Sequence, residues 1–177
     1  MKNILVISSS PRLNGNSDIL CDNFIRGAQE NGHQVEKILL AGKTIKPCVA
    51  CYACKSGKCI HDDAAPEIIQ KMMAADVIVL ATPVYFYSMC AQLKSLIDRN
   101  VMVYPEMTDK EFYFLVTMAD TATEMFRGTV EALNGFVACC ENSKCLGMVC
   151  ASGVYERGTV NGTRFTEEAY LLGKSVK

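Results

Sequence analysis

The stretch Ile4-Leu5-Val6-Ile7-Ser8-Ser9-Ser10-Pro11-Arg12-Leu13-Asn14-Gly15-Asn16-Ser17 decides how this chain folds. Its first four residues form a short apolar run rich in β-branched side chains, the pattern of a buried strand. The next ten are mostly hydroxyls, an arginine and the turn formers Asn14-Gly15, and a helical pattern begins near Asn16. Loop amides and the positive end of a helix dipole then converge on one point, as they do around a phosphate. An ordinary strand-to-helix turn uses the same residue types, with Asn16 or Ser17 as the helix cap. Such turns usually take about two to six residues, whereas this one spends ten and includes Arg12. The stretch has neither the Gly-Lys-Ser/Thr of a Walker loop nor a G-x-G-x-x-G fingerprint, which favours a monophosphate over a triphosphate or pyrophosphate.

Further apolar runs occur at Val35–Leu40, Val77–Ala81, Phe112–Thr117 and Leu146–Ala151. Helix-like stretches separate them, at about 16–31, 64–74, 89–102 and 123–140, with a last one near 164–174. Asn31-Gly32 closes the first helix, while Asp63 caps the second and Pro66 stands in its first turn. Five strands alternating with five helices imply right-handed crossovers and a parallel sheet covered on both faces. The expected fold is therefore α/β, a flavodoxin-like doubly wound five-stranded sheet of order 2-1-3-4-5. Ligands bind such sheets at the carboxyl ends of strands 1 and 3, where the winding reverses, and the opening loop lies there. A single domain is expected over residues 1–177, interrupted by one insertion at about 42–63 that lacks clear periodicity.

Half of the 177 residues are apolar, enough for a real core and too many for disorder. The formal charge of −1 gives no electrostatic reason to expect nucleic acid or an anionic membrane as partner. No apolar stretch approaches the roughly 18 residues of a membrane-spanning helix, and the N-terminal residues do not read as a secretory signal. A cytoplasmic protein is the expectation. Ten cysteines in that setting serve as core residues, metal ligands or redox groups rather than structural disulfides. Cys21, Cys90, Cys139, Cys140, Cys145 and Cys150 fall in apolar patterns and are expected to pack as small hydrophobes.

The third strand ends in Ala81-Thr82-Pro83-Val84-Tyr85-Phe86-Tyr87-Ser88, which places three adjacent aromatics at the switch point. Backbone amides of residues 84–87 are suited to the polar edge of a flat cofactor ring, with an aromatic side chain on its face. Covering the sheet end or a subunit contact is the other reading of the same residues. Together, Ile7-Ser8-Ser9-Ser10-Pro11-Arg12, Asn14-Gly15-Asn16-Ser17, Ala81-Thr82-Pro83-Val84-Tyr85, Lys94 and Asp98-Arg99 resemble the NAD(P)H-dependent FMN reductases and iron–sulfur flavoproteins of the flavodoxin-like superfamily. The likeness spans about the first 100 residues. It implies that Ser10, Arg12, Asn16 and Ser17 hold the FMN phosphate and that Pro83, Val84, Tyr85, Phe86 and Tyr87 embrace the isoalloxazine. Ser9 stands where relatives often have Gly. The loop Met118-Ala119-Asp120-Thr121 is expected as the third contact with the ring, and Lys94 with Asp98-Arg99 as an i,i+4 ion pair of structural or dimer-contact role.

The insertion carries Cys48-Val49-Ala50-Cys51-Tyr52-Ala53-Cys54-Lys55-Ser56-Gly57-Lys58-Cys59, four cysteines within twelve residues. That density does not suit core packing, and the two-residue spacings let successive thiolates meet at one centre. The final spacing is four rather than the ferredoxin's three, and Ile60 stands where that pattern has Pro. The family resemblance implies a [4Fe–4S] centre on Cys48, Cys51, Cys54 and Cys59. A zinc site, a redox-active thiol set and a loop that binds nothing are the rivals. The resemblance implies an enzyme passing electrons from NAD(P)H through FMN to a small-molecule or protein acceptor, assembled as a homodimer or homotetramer. A flavodoxin-type electron carrier is the alternative, against which the near-neutral charge counts.

Overall fold

The computed structural model describes all 177 residues. Strand β1 (Asn3–Ser8) leads into helix α1 (Asn16–Glu30) and strand β2 (Gln34–Leu39). Helix α2 (Ala65–Ala74), strand β3 (Val77–Tyr85), the two-residue strand β4 (Ser88–Met89) and helix α3 (Ala91–Arg99) follow. Strand β5 (Glu111–Thr117), helix α4 (Arg127–Ala138), strand β6 (Lys144–Ala151) and helix α5 (Arg164–Lys174) complete the chain. The parallel strands run in the order β2-β1-β3-β5-β6, with β4 paired antiparallel to β3 off that path. Counted without β4, this is the expected order, reversing between β1 and β3.

Alternation along each strand feeds two cores. Leu5, Ile7, Ile78, Leu80, Phe112 and Phe114 face one side of the sheet and pack with Ile68 and Met72 of α2, Leu93 and Leu96 of α3, and Leu133 and Phe136 of α4. Ile4, Val6, Val77, Val79, Tyr113 and Leu115 face the other side, against Leu20 and Phe24 of α1 and Phe165 and Ala169 of α5. Both faces of the central strands are dry, which is why their sequences read as continuous apolar runs. Helices α1 and α5 cross very closely, because Gly27 and Gly173 leave room where a Cβ would meet the carbonyls of Tyr170 and Phe24. No helix is long and apolar enough to cross a membrane.

Three differences from the sequence-based expectation bear on the site. The third strand runs past Ala81 to Tyr85, because Thr82 and Pro83 stay in register with Val116 and Thr117 of β5 before the chain folds back onto β4. Helix α3 ends at Arg99 and continues only as tighter turns at Asn100–Met102 and Tyr104–Glu106. Of the six cysteines assigned to packing, Cys139 is exposed, since it follows the last turn of α4. Cys21 and Cys90 are fully buried, and burial pushes the Cys21 thiol up to about 12 and those of Cys140 and Cys150 to about 11. These thiols behave as hydrophobes.

Candidate functional site

The loop after β1 is fixed largely by bonds within itself and to β3. Ser9 donates its N–H to the Ala81 carbonyl at 3.0 Å and its hydroxyl to the same oxygen at 2.6 Å. Cys90 Sγ in turn lies 3.1 Å from Ser9 Oγ. Ser10 Oγ accepts the Arg12 N–H at 3.2 Å, and the Gly15 N–H bonds the Arg12 carbonyl at 3.1 Å. Asn14 takes a left-handed conformation, φ 54°, with its N–H on Asp18 Oδ2. Gly15 is the N-cap of α1 and provides no side-chain oxygen, so the N–H groups of Asn16, Ser17 and Asp18 have no acceptor in the chain. A Cβ on Gly15 would stand 2.9 Å from the Arg12 carbonyl and 3.4 Å from Ser10 Oγ. Three unpaired donors at the positive end of a helix, beside a hydroxyl and a guanidinium, form an anion cradle.

Ser10, Arg12, Asn16 and Ser17 line one cleft, and Pro83, Val84 and Tyr85 from the end of β3 line the same cleft. Ser17 is buried, its hydroxyl 2.7 Å from Thr117 Oγ1 at the end of β5. The Asn16 side chain is turned toward the loop after β6: its amide nitrogen donates to the Glu156 carbonyl at 2.9 Å and the Val154 carbonyl at 3.3 Å, and its oxygen accepts the Val160 N–H at 3.2 Å. Asn16 thus presents its backbone N–H, not its amide, at the cradle. Arg12 donates through Nη1 to the Tyr155 carbonyl at 3.0 Å, with its guanidinium 5.6 Å from the centre of the Tyr155 ring.

Phe86 and Tyr87 are placed differently from Pro83, Val84 and Tyr85. They form the two-residue turn between β3 and β4, both left-handed with φ 48° and 60°, and neither lines the cleft. Their rings point to solvent, Phe86 being fully exposed. Two bulky residues in that region cost about 1–2 kcal/mol each, and such strain gathers at functional sites. Close above the turn, Gly128 in α4 would bring a Cβ within 2.8 Å of the Tyr87 carbonyl.

Six residues of the cleft carry no expected side-chain role: Thr117, Met118 and Ala119 at the end of β5, and Val154, Tyr155 and Arg157 after β6. The stretch Met118–Thr121 was expected to approach the ring, and its first two residues do line the cleft. The loop after β6 was missed. Its length was the available signal, since twelve residues separate Ala151 from Arg164 where strand-to-helix connections usually take about two to six. The lining offers amide, hydroxyl and guanidinium donors but no carboxylate, imidazole, thiol or amine. It is suited to binding an anion and a ring, and leaves the chemistry to a cofactor.

The cysteine loop is closed only at its base. The Lys46 N–H bonds Asp63 Oδ2 at 2.8 Å, and the Ala64 N–H bonds the Thr44 carbonyl at 3.1 Å. Arg99 crosses both ends, donating to the Lys46 carbonyl at 3.0 Å and to Asp63 Oδ2 at 2.8 Å, with the two side chains 3% and 0% exposed. Burial alone would raise the Asp63 pKa, but Arg99 and the N–H groups of Lys46 and Ala65 outweigh it and hold the carboxyl below its usual range. Asp63 also caps α2 through the Ala65 N–H at 3.0 Å. Of the expected trio on α3, Lys94 and Asp98 make the i,i+4 pair, exposed, while Arg99 turns inward. An exposed pair of that kind adds about 0.3–0.5 kcal/mol, whereas breaking a buried one costs about 3–5.

Above that base, Cys48, Cys51, Cys54 and Cys59 line a single cleft, and Cys59 Sγ accepts from Arg99 Nη2 at 3.3 Å. A short 3-10 turn at Ala53–Ser56 supplies most of the local order, and Ala50 and Tyr52 are left-handed. No three histidine, cysteine, aspartate or glutamate groups stand together as a metal site. Four thiols on one short segment fit an iron–sulfur cluster in number and softness. Their positions do not form a coordination sphere, and the segment that carries them makes few bonds of its own.

The family model for NADPH-dependent FMN reductase matches residues 2–140. An iron–sulfur flavoprotein of Methanocaldococcus jannaschii is 44% identical over 98 residues, covering 55% of this chain and 51% of that protein. The alignments cover about half the length of the curated relatives. Among solved structures, the NAD(P)H:quinone oxidoreductase from Methanothermobacter marburgensis superposes with TM-score 0.76 at 16% identity, over 98% of this chain and 96% of that one. The FMN-dependent NADH-azoreductase from Bacillus anthracis, in complex with FMN, gives TM-score 0.71 at 15% identity over 97% and 96%. At those identities the structural likeness speaks for the fold.

Proposed function

The chain belongs to the NADPH-dependent FMN reductase family, and from that premise we propose that it is an FMN-dependent oxidoreductase taking electrons from NAD(P)H for a small-molecule or protein acceptor. The observation that carries this reading is the cradle at the start of α1, where three unpaired N–H groups, Ser10 and Arg12 meet the ends of β3 and β5 in one cleft. Bound FMN would supply an electron sink that a reduced nicotinamide can reach and an acceptor can empty. The N–H groups of Asn16, Ser17 and Asp18 would take the phosphate, with Ser10 and Arg12 beside them. Pro83, Val84 and Tyr85 would flank the ring, and the ends of β5 and β6 would close its other edge. The protein's part is to bind and orient, since no carboxylate, imidazole, thiol or amine lines the cleft.

We assign Cys48, Cys51, Cys54 and Cys59 as ligands of a [4Fe–4S] cluster, supported by the donor set and by the iron–sulfur flavoproteins among the relatives. Such a centre would supply single-electron transfer to a partner.

The test is NAD(P)H oxidation by protein loaded with FMN, assayed with free flavin, a quinone and oxygen. Steady consumption with at least one acceptor is expected. FMN that binds tightly without turnover on any acceptor would leave an electron carrier and overturn the reductase reading. Anaerobic reconstitution with ferrous iron and sulfide should bring about four irons per chain, and zinc alone in the purified protein would reject the cluster.

A further inference from the structure

We infer that Arg157 is a second guanidinium for the cofactor phosphate, and that Asn16 is a positioning residue that holds the loop carrying Arg157 against the cleft. The inference rests on the FMN reading and assigns side chains that reading leaves open. The loop after β6 starts on the edge strand, separated from β1 by β3 and β5, so no sheet ladder brings it to the phosphate loop. The tie is the Asn16 amide, which bonds the carbonyls of Val154 and Glu156 and the N–H of Val160 and lies 3.4 Å from Thr159 Oγ1. Val160 is fully buried and anchors the same loop. The Tyr155 carbonyl takes the Arg12 guanidinium, so both sides of the mouth are joined. Asn16 is 9% exposed, which suits a latch better than a ligand.

Charge decides what the latch is for. A phosphomonoester carries about −1.5 to −2 at neutral pH. The N-terminus of α1 contributes about +0.5 and Arg12 one unit more, which falls short of a dianion. Asp18, in the same helical turn, pairs with Lys37 at 2.6 Å, but Asp22 shares that lysine at 2.6 Å, so the two carboxylates leave a net negative charge behind the cradle and add to the need for a further cation. Arg157 lines the cleft and makes no ion pair with any carboxylate of the chain. It is the remaining cationic group of the lining and completes the neutralisation.

Riboflavin, which lacks the phosphate, separates this role from ring binding. Affinities for FMN and riboflavin are read from quenching of flavin fluorescence. In Arg157→Gln, FMN binding should weaken about tenfold, the loss of one charge-assisted contact, with riboflavin binding unchanged. Asn16→Ala should show the same loss of FMN preference, and the double variant should be no weaker than Asn16→Ala alone, because the loop has already left the cleft. An unaltered FMN-to-riboflavin ratio in Arg157→Gln overturns the inference and leaves the FMN reading standing. Additive losses in the double variant overturn the latch. Wild-type protein that binds neither flavin overturns the FMN reading and the inference with it. Arg157 is exposed on a loop, so its variant tests the proposal whether or not Asn16→Ala folds.

Discussion

The phosphate loop and the cysteine loop both leave a strand of the same sheet, yet they are held in opposite ways. Residues 9–18 are fixed along their length by bonds to β3, to each other and to the loop after β6. Residues 47–62 are tied at a base formed by Lys46, Asp63 and Arg99, with little between beyond one short turn. The phosphate loop offers backbone N–H groups, whose usefulness depends on exact placement before the ligand arrives. The cysteine loop offers side-chain thiols, and with the proposed cluster bound, metal–thiolate bonds strong enough to order a segment would supply the placement themselves. Under the proposed assignments, order before binding goes with the loop whose single contacts to a ligand would be weak, and its absence with the loop whose contacts would be strong.

The largest effect should come from the base of the cysteine loop. Asp63→Ala leaves the Arg99 guanidinium buried without its partner and removes the cap of α2, which should cost about 3–5 kcal/mol in urea unfolding at neutral pH. The pH dependence has a definite sign. Because Asp63 is held below its usual pKa in the folded state, its contribution is fully present above the unfolded value of about 4 and is lost as pH falls through the lowered folded value. The gap between wild type and Asp63→Ala should therefore narrow under acid. A constant gap from neutral to acid pH would show that the ion pair does not carry the base, and the contrast between the loops would lose one of its two anchors.

Gly15→Ala probes the other loop with an intermediate effect. The added methyl would stand 2.9 Å from the Arg12 carbonyl, a backbone atom that cannot swing aside as a side chain does. Accommodating it should cost about 1–3 kcal/mol, shared between unfolding free energy and FMN affinity. If both stay at their wild-type values, the phosphate loop is as pliable as the cysteine loop and the comparison fails.

Where sequence reasoning succeeded and where it stopped follows the same division. The five parallel strands, their order and the convergence of residues 10–17 with residues 83–85 were legible, because apolar periodicity and strand-end geometry are local facts with few solutions. The β3–β4 hairpin was not, since Phe86-Tyr87 lacks the Asn-Gly or Asp-Gly that usually announces a two-residue turn with positive φ. The family resemblance implies Asn16 as a phosphate ligand, and its N–H does face the cradle while its side chain turns elsewhere. Its actual partners lie more than 130 residues away, on a loop that no local pattern connects to it. The resemblance groups Arg99 with Lys94 and Asp98, and helical spacing adds an ion pair among them, while the partner of Arg99 is Asp63 of the insertion. Spacing likewise counts the thiols of Cys48–Cys59, but it does not say how an almost unbonded segment arranges them.

The smallest expected effect is also the sharpest test of that last point. Cys51 is exposed and stands in the weakly held part of the loop, so Cys51→Ser should change metal-free stability by no more than about 0.5 kcal/mol. The same variant should take up less iron than wild-type protein during anaerobic reconstitution, because the serine oxygen would be a poorer iron ligand than the thiolate it replaces. A substitution invisible to unfolding yet decisive for metal is what a guest-ordered loop predicts. A marked loss of metal-free stability would mean instead that the thiol is already part of a built structure, and full iron retention would remove Cys51 from the ligand set.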